Sequence, residues 1–142
     1  MTLKIYEHSK TVTGAQFLKS HAAINQIRRR LGVLMSHCDV WLSPTTADVA
    51  EPHGLYNQGL ENISAVDYLP FCDRPVQFTF PHNVMGTPAI SLPLAMHSNG
   101  LPIGVQLGGR PAEEHVLLQL STILEQEMPW KGRMPVLHVS RT

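Results

Sequence analysis

At 142 residues and 43% apolar content, the chain is long enough for one domain with a packed core and too apolar for disorder. Eleven basic residues balance eleven acidic ones and the pI is near 7.1, so no global field would draw the chain to nucleic acid or an anionic membrane. Cys38 and Cys72 form no Cys-x-x-Cys unit and no apolar leader follows Met1, so free thiols in a cytoplasmic setting are expected.

The first long element begins near Thr13. Thr13 followed by Gln16 fits a capping box, in which each side chain satisfies a backbone N–H that the helix cannot use. The spacing predicts a helix over 13–36, with Phe17, Ile24, Ile27, Leu31, Leu34 and Met35 along one side. Gly32 inside it costs about 1 kcal/mol relative to Ala, so a loose turn or a close neighbour is expected there. Arg28, Arg29 and Arg30 point around the helix rather than forming one patch, which favours a solvated face over an anion or RNA contact. Next, the apolar run from Asp39 to Thr45 is stopped by Pro44 and shows no polar alternation, which predicts a strand covered on both faces.

Residues 46–75 read mostly as loop, punctuated by Pro52, Gly54, Asn57, Gly59, Pro70 and Pro75, with one short helix over 64–69. A loop of that length is either functional or a plain surface connection. Gly86 and Pro88 then aim a strand in which Ile90, Leu92 and Leu94 alternate with Ala89, Ser91 and Pro93. His97, Ser98, Asn99 and Gly100 supply a turn, and Ile103, Val105 and Leu107 alternate with Gly104 and Gln106 in a second strand, making a hairpin. Pro111, Glu113 and Glu114 open a helix with the apolar face Val116, Leu117, Leu120, Ile123 and Leu124. Beyond Glu127, Pro129 and Pro135 prevent further helix and the tail is expected to trail over the surface.

Most candidate chemistries fail on spacing. The eight His residues never fall at the close spacings of metal ligands, so neither a metal nor any other cofactor is expected. Gly108, Gly109 and Arg110 lack the longer Gly-rich run of a phosphate loop and read as the end of a strand and the approach to a helix. No Gly-x-Ser-x-Gly elbow is present. His82 reads as structural or pocket-lining rather than catalytic.

The central motif resembles the amidase-signature hydrolases. Their C-terminal region typically reads Asn-x-x-Gly-x-Pro-Ala, a strand, Gly-Leu-Pro-x-Gly-x-Gln, then a helix bearing Leu-Leu and ending near Leu-Glu. Here those positions are Asn83, Gly86, Pro88 and Ala89, then Gly100, Leu101, Pro102, Gly104 and Gln106, then Leu117, Leu118, Leu124 and Glu125. Asp39, the apolar run and Pro44-Thr45, preceded by a long helix, extend the resemblance upstream to about Phe17. One departure is Ala95, where the family often has Gly.

The resemblance implies an α/β fold, the C-terminal part of the amidase-signature fold, with a mixed β-sheet flanked by helices. Residues 1–142 would form a single domain equivalent to the C-terminal third of an amidase. The family hydrolyses carboxamide C–N bonds through a Ser-cisSer-Lys triad carried by an N-terminal part that has no match here. Hydrolysis needs an activated nucleophile, a base and oxyanion donors. This sequence has no Ser-Ser pair, and Lys4, Lys10, Lys19 and Lys131 lie outside any Gly-Ser-rich segment, so no residue is assigned a catalytic role. A stand-alone binding or assembly module with the same fold is the other reading. A small-molecule amide is the expected ligand of the complete enzyme. The partner is a second copy or an N-terminal amidase segment, because a sheet cut from its neighbours exposes edges and apolar surface.

Within the family, the glutamine-dependent tRNA amidotransferase subunit typically places an acidic residue seven positions before the motif Asn. Here that position is Val76. Val76, Phe78, Thr79 and Phe80 are therefore the candidate substrate-binding residues, lining a pocket for uncharged acyl groups. Core packing of Phe78 and Phe80 is the competing reading.

Overall fold

The computed structural model describes residues 2–55, 63–135 and 137–139. Asn57 and Gly59, two of the turn signals in the long loop, lie outside the described residues, as does Met1. Eight elements follow one another: α1 (Thr2–Ser9), α2 (Gly14–Met35), β1 (Trp41–Pro44), α3 (Ala65–Val76), α4 (Phe80–Met85), β2 (Ala89–Met96), β3 (Pro102–Gly108) and α5 (Glu114–Glu127). The strands form one sheet in the order β1-β3-β2. No helix among the described residues is long and apolar enough to cross a membrane.

The α/β character is as expected, but the mixture of strand directions is not found among the described residues. Both pairings, β1 with β3 and β2 with β3, are antiparallel. The hairpin forms where Gly100, at φ 85°, closes a turn that would strain any residue with a Cβ. The β2–β3 register shifts between Leu92 and Ala95, the stretch that contains Pro93.

The two faces of the sheet differ by register. Leu42, Leu107 and Ile90 are opposite one another on one face, and Ser43, Gln106 and Ser91 on the other. The apolar face packs under α5, with Leu92, Leu107 and Leu117 buried and Ile90, Leu94, Leu120 and Leu124 around them. Trp130 joins this cluster and Arg133 Nη1 donates to Pro93 O at 2.9 Å. The tail runs over the surface as expected, and Trp130 and Arg133 anchor its start.

Three further expectations are corrected. β1 is an edge strand rather than one covered on both faces: Ser43 is buried, whereas Leu42 is 66% exposed. The short helix over 64–69 continues to Val76 through Pro70 and Pro75. Its Ser64 cap accepts from Asp67 N at 3.1 Å, and in the turns beyond Pro70 Arg74 Nη2 donates to Asp48 at 2.8 Å. The α5 helix starts at Glu114, three residues after Pro111, because Ala112 takes a left-handed φ of 63° and Glu113 turns back to Arg110 Nε at 2.8 Å.

The capping box at α2 forms as expected, with Thr13 N donating to Gln16 Oε1 at 2.8 Å and Gln16 N to Thr13 Oγ1 at 3.2 Å. The predicted apolar side of this helix, however, is largely uncovered. Phe17, Ile27 and Leu34 are more than half exposed, and Met35 is the one α2 residue that is buried. Nothing lies close to Gly32, and the helix runs through it unbroken.

Candidate substrate wall on the polar face of the sheet

Alternate residues of β3 on the polar face are Gly104, Gln106 and Gly108, a row with room above it. α4 occupies that room. Its His82 is 6% exposed and lies so close over Gly108 that a Cβ there would overlap the imidazole. His82 Nδ1 shares a hydrogen bond with Thr87 Oγ1 at 2.8 Å, and the ring is 5.5 Å from that of Trp41. Burial pushes the His82 pKa down, since the charged form loses its water.

α4 ends because Gly86 adopts φ 69° and its N–H returns to His82 O at 2.9 Å, a left-handed cap open to glycine. Ahead of α4, the junction with α3 carries all four candidate wall residues. Val76 ends α3 and is 42% exposed, Phe78 and Thr79 are half-buried, and Phe80 opens α4 at 57% exposed. Thr79 N and Thr79 Oγ1 both donate to Val76 O, each at 3.1 Å. The chain therefore brings these residues together in one tight turn.

Gln106 ties this turn to the sheet. Its side chain is buried and Nε2 donates to Phe78 O at 2.8 Å and to Ser43 Oγ at 3.2 Å. Further along the same face, Thr45 Oγ1 and Ser91 Oγ meet at 2.6 Å over Gly104, where a Cβ would stand 2.7 Å from the threonine oxygen. Beside Val76, residues 46–51 with Arg74 and Pro75 line a hollow of about 210 Å³. Arg74 is held there by Asp48 at 2.8 Å and Glu51 at 3.9 Å, so its charge is already partnered.

Neither the Gln106 clamp nor the seat of His82 on Gly108 was identified from sequence. The signal was present as Gly104-x-Gln106-x-Gly108, an alternation of small and polar residues on one face of a strand whose other face is apolar. This face holds polar contacts but no assembled nucleophile and base among the described residues. His82 and Thr87 are in contact, but His82 is enclosed by Trp41 and Gly108, and no third group among the described residues orients it as a base. Lys4 Nζ donates to Ile63 O, 59 residues along the chain, and Lys10 Nζ donates to Glu7, so each ammonium is engaged in a structural contact. Among the described residues no three His, Cys, Asp or Glu side chains gather to hold a metal.

An antiparallel three-stranded sheet with α5 on one face and α4 on the other makes this an α/β protein. The chain matches the family model described as Amidase over residues 1–118 and belongs to that family. It is 50% identical over 64 residues to a 6-aminohexanoate-cyclic-dimer hydrolase of Pseudomonas sp. (strain NK87), covering 45% of this chain and 13% of that protein. It is 39% identical over 92 residues to a glutamyl-tRNA(Gln) amidotransferase chain of Bartonella tribocorum, covering 65% of this chain and 17% of that one. Among solved structures, a 6-aminohexanoate cyclic dimer hydrolase superposes with a TM-score of 0.72 at 30% identity, over 92% of this chain and 28% of that one. The chain thus spans under a third of the length of these relatives.

Proposed function

We infer that this chain supplies the C-terminal framework and one pocket wall of an enzyme that hydrolyses carboxamide C–N bonds, with the nucleophile, base and oxyanion donors contributed by residues outside this sequence. The observation that carries the reading is the family match over residues 1–118 in a chain without a serine pair or a lysine in a Gly-Ser-rich segment. The comparisons do not favour the stand-alone binding module.

The wall is Val76, Phe78, Thr79 and Phe80, and its preferred ligand is a small amide with an uncharged acyl group. An ammonium brought against Val76 and Phe80 would lose water without gaining a carboxylate. The cyclic dimer named for one relative is in keeping with that choice. The partner that completes the site is an N-terminal amidase segment, with a second copy of this chain as the competing occupant of the same surface. Support comes from α2, which exposes Phe17, Ile27 and Leu34 of its apolar side and, with Lys19 and Arg28 to Arg30 distributed around it, carries base and no acid. A partner face that is apolar with acidic margins fits it. Nucleic acid and membrane are not among the proposed partners. A cytoplasmic setting belongs to the same reading, supported by the separate thiols of Cys38 and Cys72.

The test joins this chain to the N-terminal portion of a 6-aminohexanoate-cyclic-dimer hydrolase. The chain alone should not turn over simple amides or esters, and the joined enzyme should hydrolyse a neutral amide. Turnover by the chain alone that survives repurification, or an inactive joined enzyme that is folded, overturns the reading.

A further inference from the structure

Gln106 is 3% exposed on the middle strand of the sheet, a position that favours an aliphatic or β-branched side chain. Burying an amide is costly unless its donors are used. Here both bonds of Nε2 leave β3 for other elements, one to Ser43 Oγ of β1 and one to Phe78 O between α3 and α4. Residues 77–79 belong to neither helix, and the Thr79 bonds to Val76 O stiffen the turn internally without fixing its height above the sheet. The Gln106 amide supplies that height, one helical turn before His82 settles on Gly108.

We propose that Gln106 is a positioning residue that sets the acyl selectivity of the enzyme by holding the turn bearing Val76, Phe78 and Phe80, without touching the substrate. The inference rests on the wall reading above and deepens it. Without the amide the turn is held to this strand by no hydrogen bond from residue 106, and the Phe78 carbonyl must find water. An apolar pocket that misfits by about one methylene loses roughly 10- to 200-fold in discrimination. The reacting groups come from elsewhere, so the loss falls on binding of the acyl group rather than on the chemical step.

In the joined enzyme, KM and kcat are measured for a bulky neutral amide and for glutamine with Gln106→Leu, Gln106→Glu and Ser43→Ala. The two Gln106 variants should each raise KM for the neutral amide about tenfold with kcat within about threefold, reducing its advantage over glutamine. Ser43→Ala leaves the Phe78 bond in place and should move the ratio little. Hydrogen exchange at the Thr79 and His82 amides should quicken in the Gln106 variants alone. If selectivity is unchanged in both while Val76→Asp shifts it toward glutamine, the positioning role is overturned and the wall stands. If Val76→Asp and Phe80→Ala also leave it unchanged, the wall reading falls and takes the proposal with it. Should Gln106→Leu fail to fold, Gln106→Glu, which keeps the length of the side chain, carries the test, and a fall in kcat without a change in KM overturns the proposal.

Discussion

The two faces of β3 are built on different physics. Toward α5, Leu107 and its neighbours Leu92 and Leu117 exclude water by apolar packing, a force without direction that needs volume more than angle. Toward α4, Gly104, Gln106 and Gly108 make room for particular atoms of Thr45, Phe78 and His82. The first face makes the strand stable, and the second makes it aim other residues. A sheet can therefore tolerate repacking on one side while being intolerant of a single methyl group on the other.

Substitutions can break that contrast, and the largest effect belongs to the apolar face. Leu107→Ala should cost about 2–5 kcal/mol in urea unfolding, because the cavity under α5 adds to the lost transfer energy. Leu107→Met should cost under about 1.5 kcal/mol, and an equal penalty for both would show that this face too is shape-critical. On the opposite face, Gly108→Ala adds one methyl yet should cost roughly 1–3 kcal/mol, as the imidazole of His82 must leave its seat against Trp41. A neutral result would remove the distinction between the faces. Well away from both, Thr13→Ala should cost about 1 kcal/mol through the lost cap of α2, with no change in the exchange of β3 amides.

The smallest expected effect is a pH dependence confined to the α4 side. His82 is held below the ordinary 6.5 by burial, so on acidification the unfolded chain takes up a proton before the folded one does. Stability is thus complete above about pH 6.5, declines as pH falls from there toward the lower folded value, and levels off beneath it. His82→Gln should flatten that slope in pH-resolved unfolding, and an unchanged slope would assign it to other groups.

Much of the first face was legible from sequence and little of the second. Alternation at Ile90, Leu92 and Leu94 and at Ile103, Val105 and Leu107 is a repeating signal, and repetition over several residues announces both strands. The capping box at Thr13 is equally local, since its partner lies three residues away. The Gln106 bond to Phe78 spans 28 residues and the hydrogen bond to Ser43 spans 63, and no local pattern encodes which carbonyl an amide will reach. α4 went unnoticed because a six-residue helix containing Pro81 lacks room for a period to show. The extension of α3 past Pro70 is not legible locally, because proline marks a stop while the contact of Arg74 with Asp48 in the added turns spans 26 residues. Prolines around Trp130 mark only where the helix stops, while its partial burial depends on the cluster of Leu92, Leu107 and Leu117, which exists only after folding.

Both outer strands of the sheet contain proline, Pro44 in β1 and Pro93 in β2, whereas the central strand has Pro102 only as its first residue. Each outer proline removes a donor from a margin that could otherwise template another chain, and the Pro93 carbonyl is occupied by Arg133. Backbone-to-backbone spread of the kind that propagates fibrils is interrupted on both sides. The exposed apolar residues of α2, rather than the strand margins, are then the part of this chain most open to association through side chains.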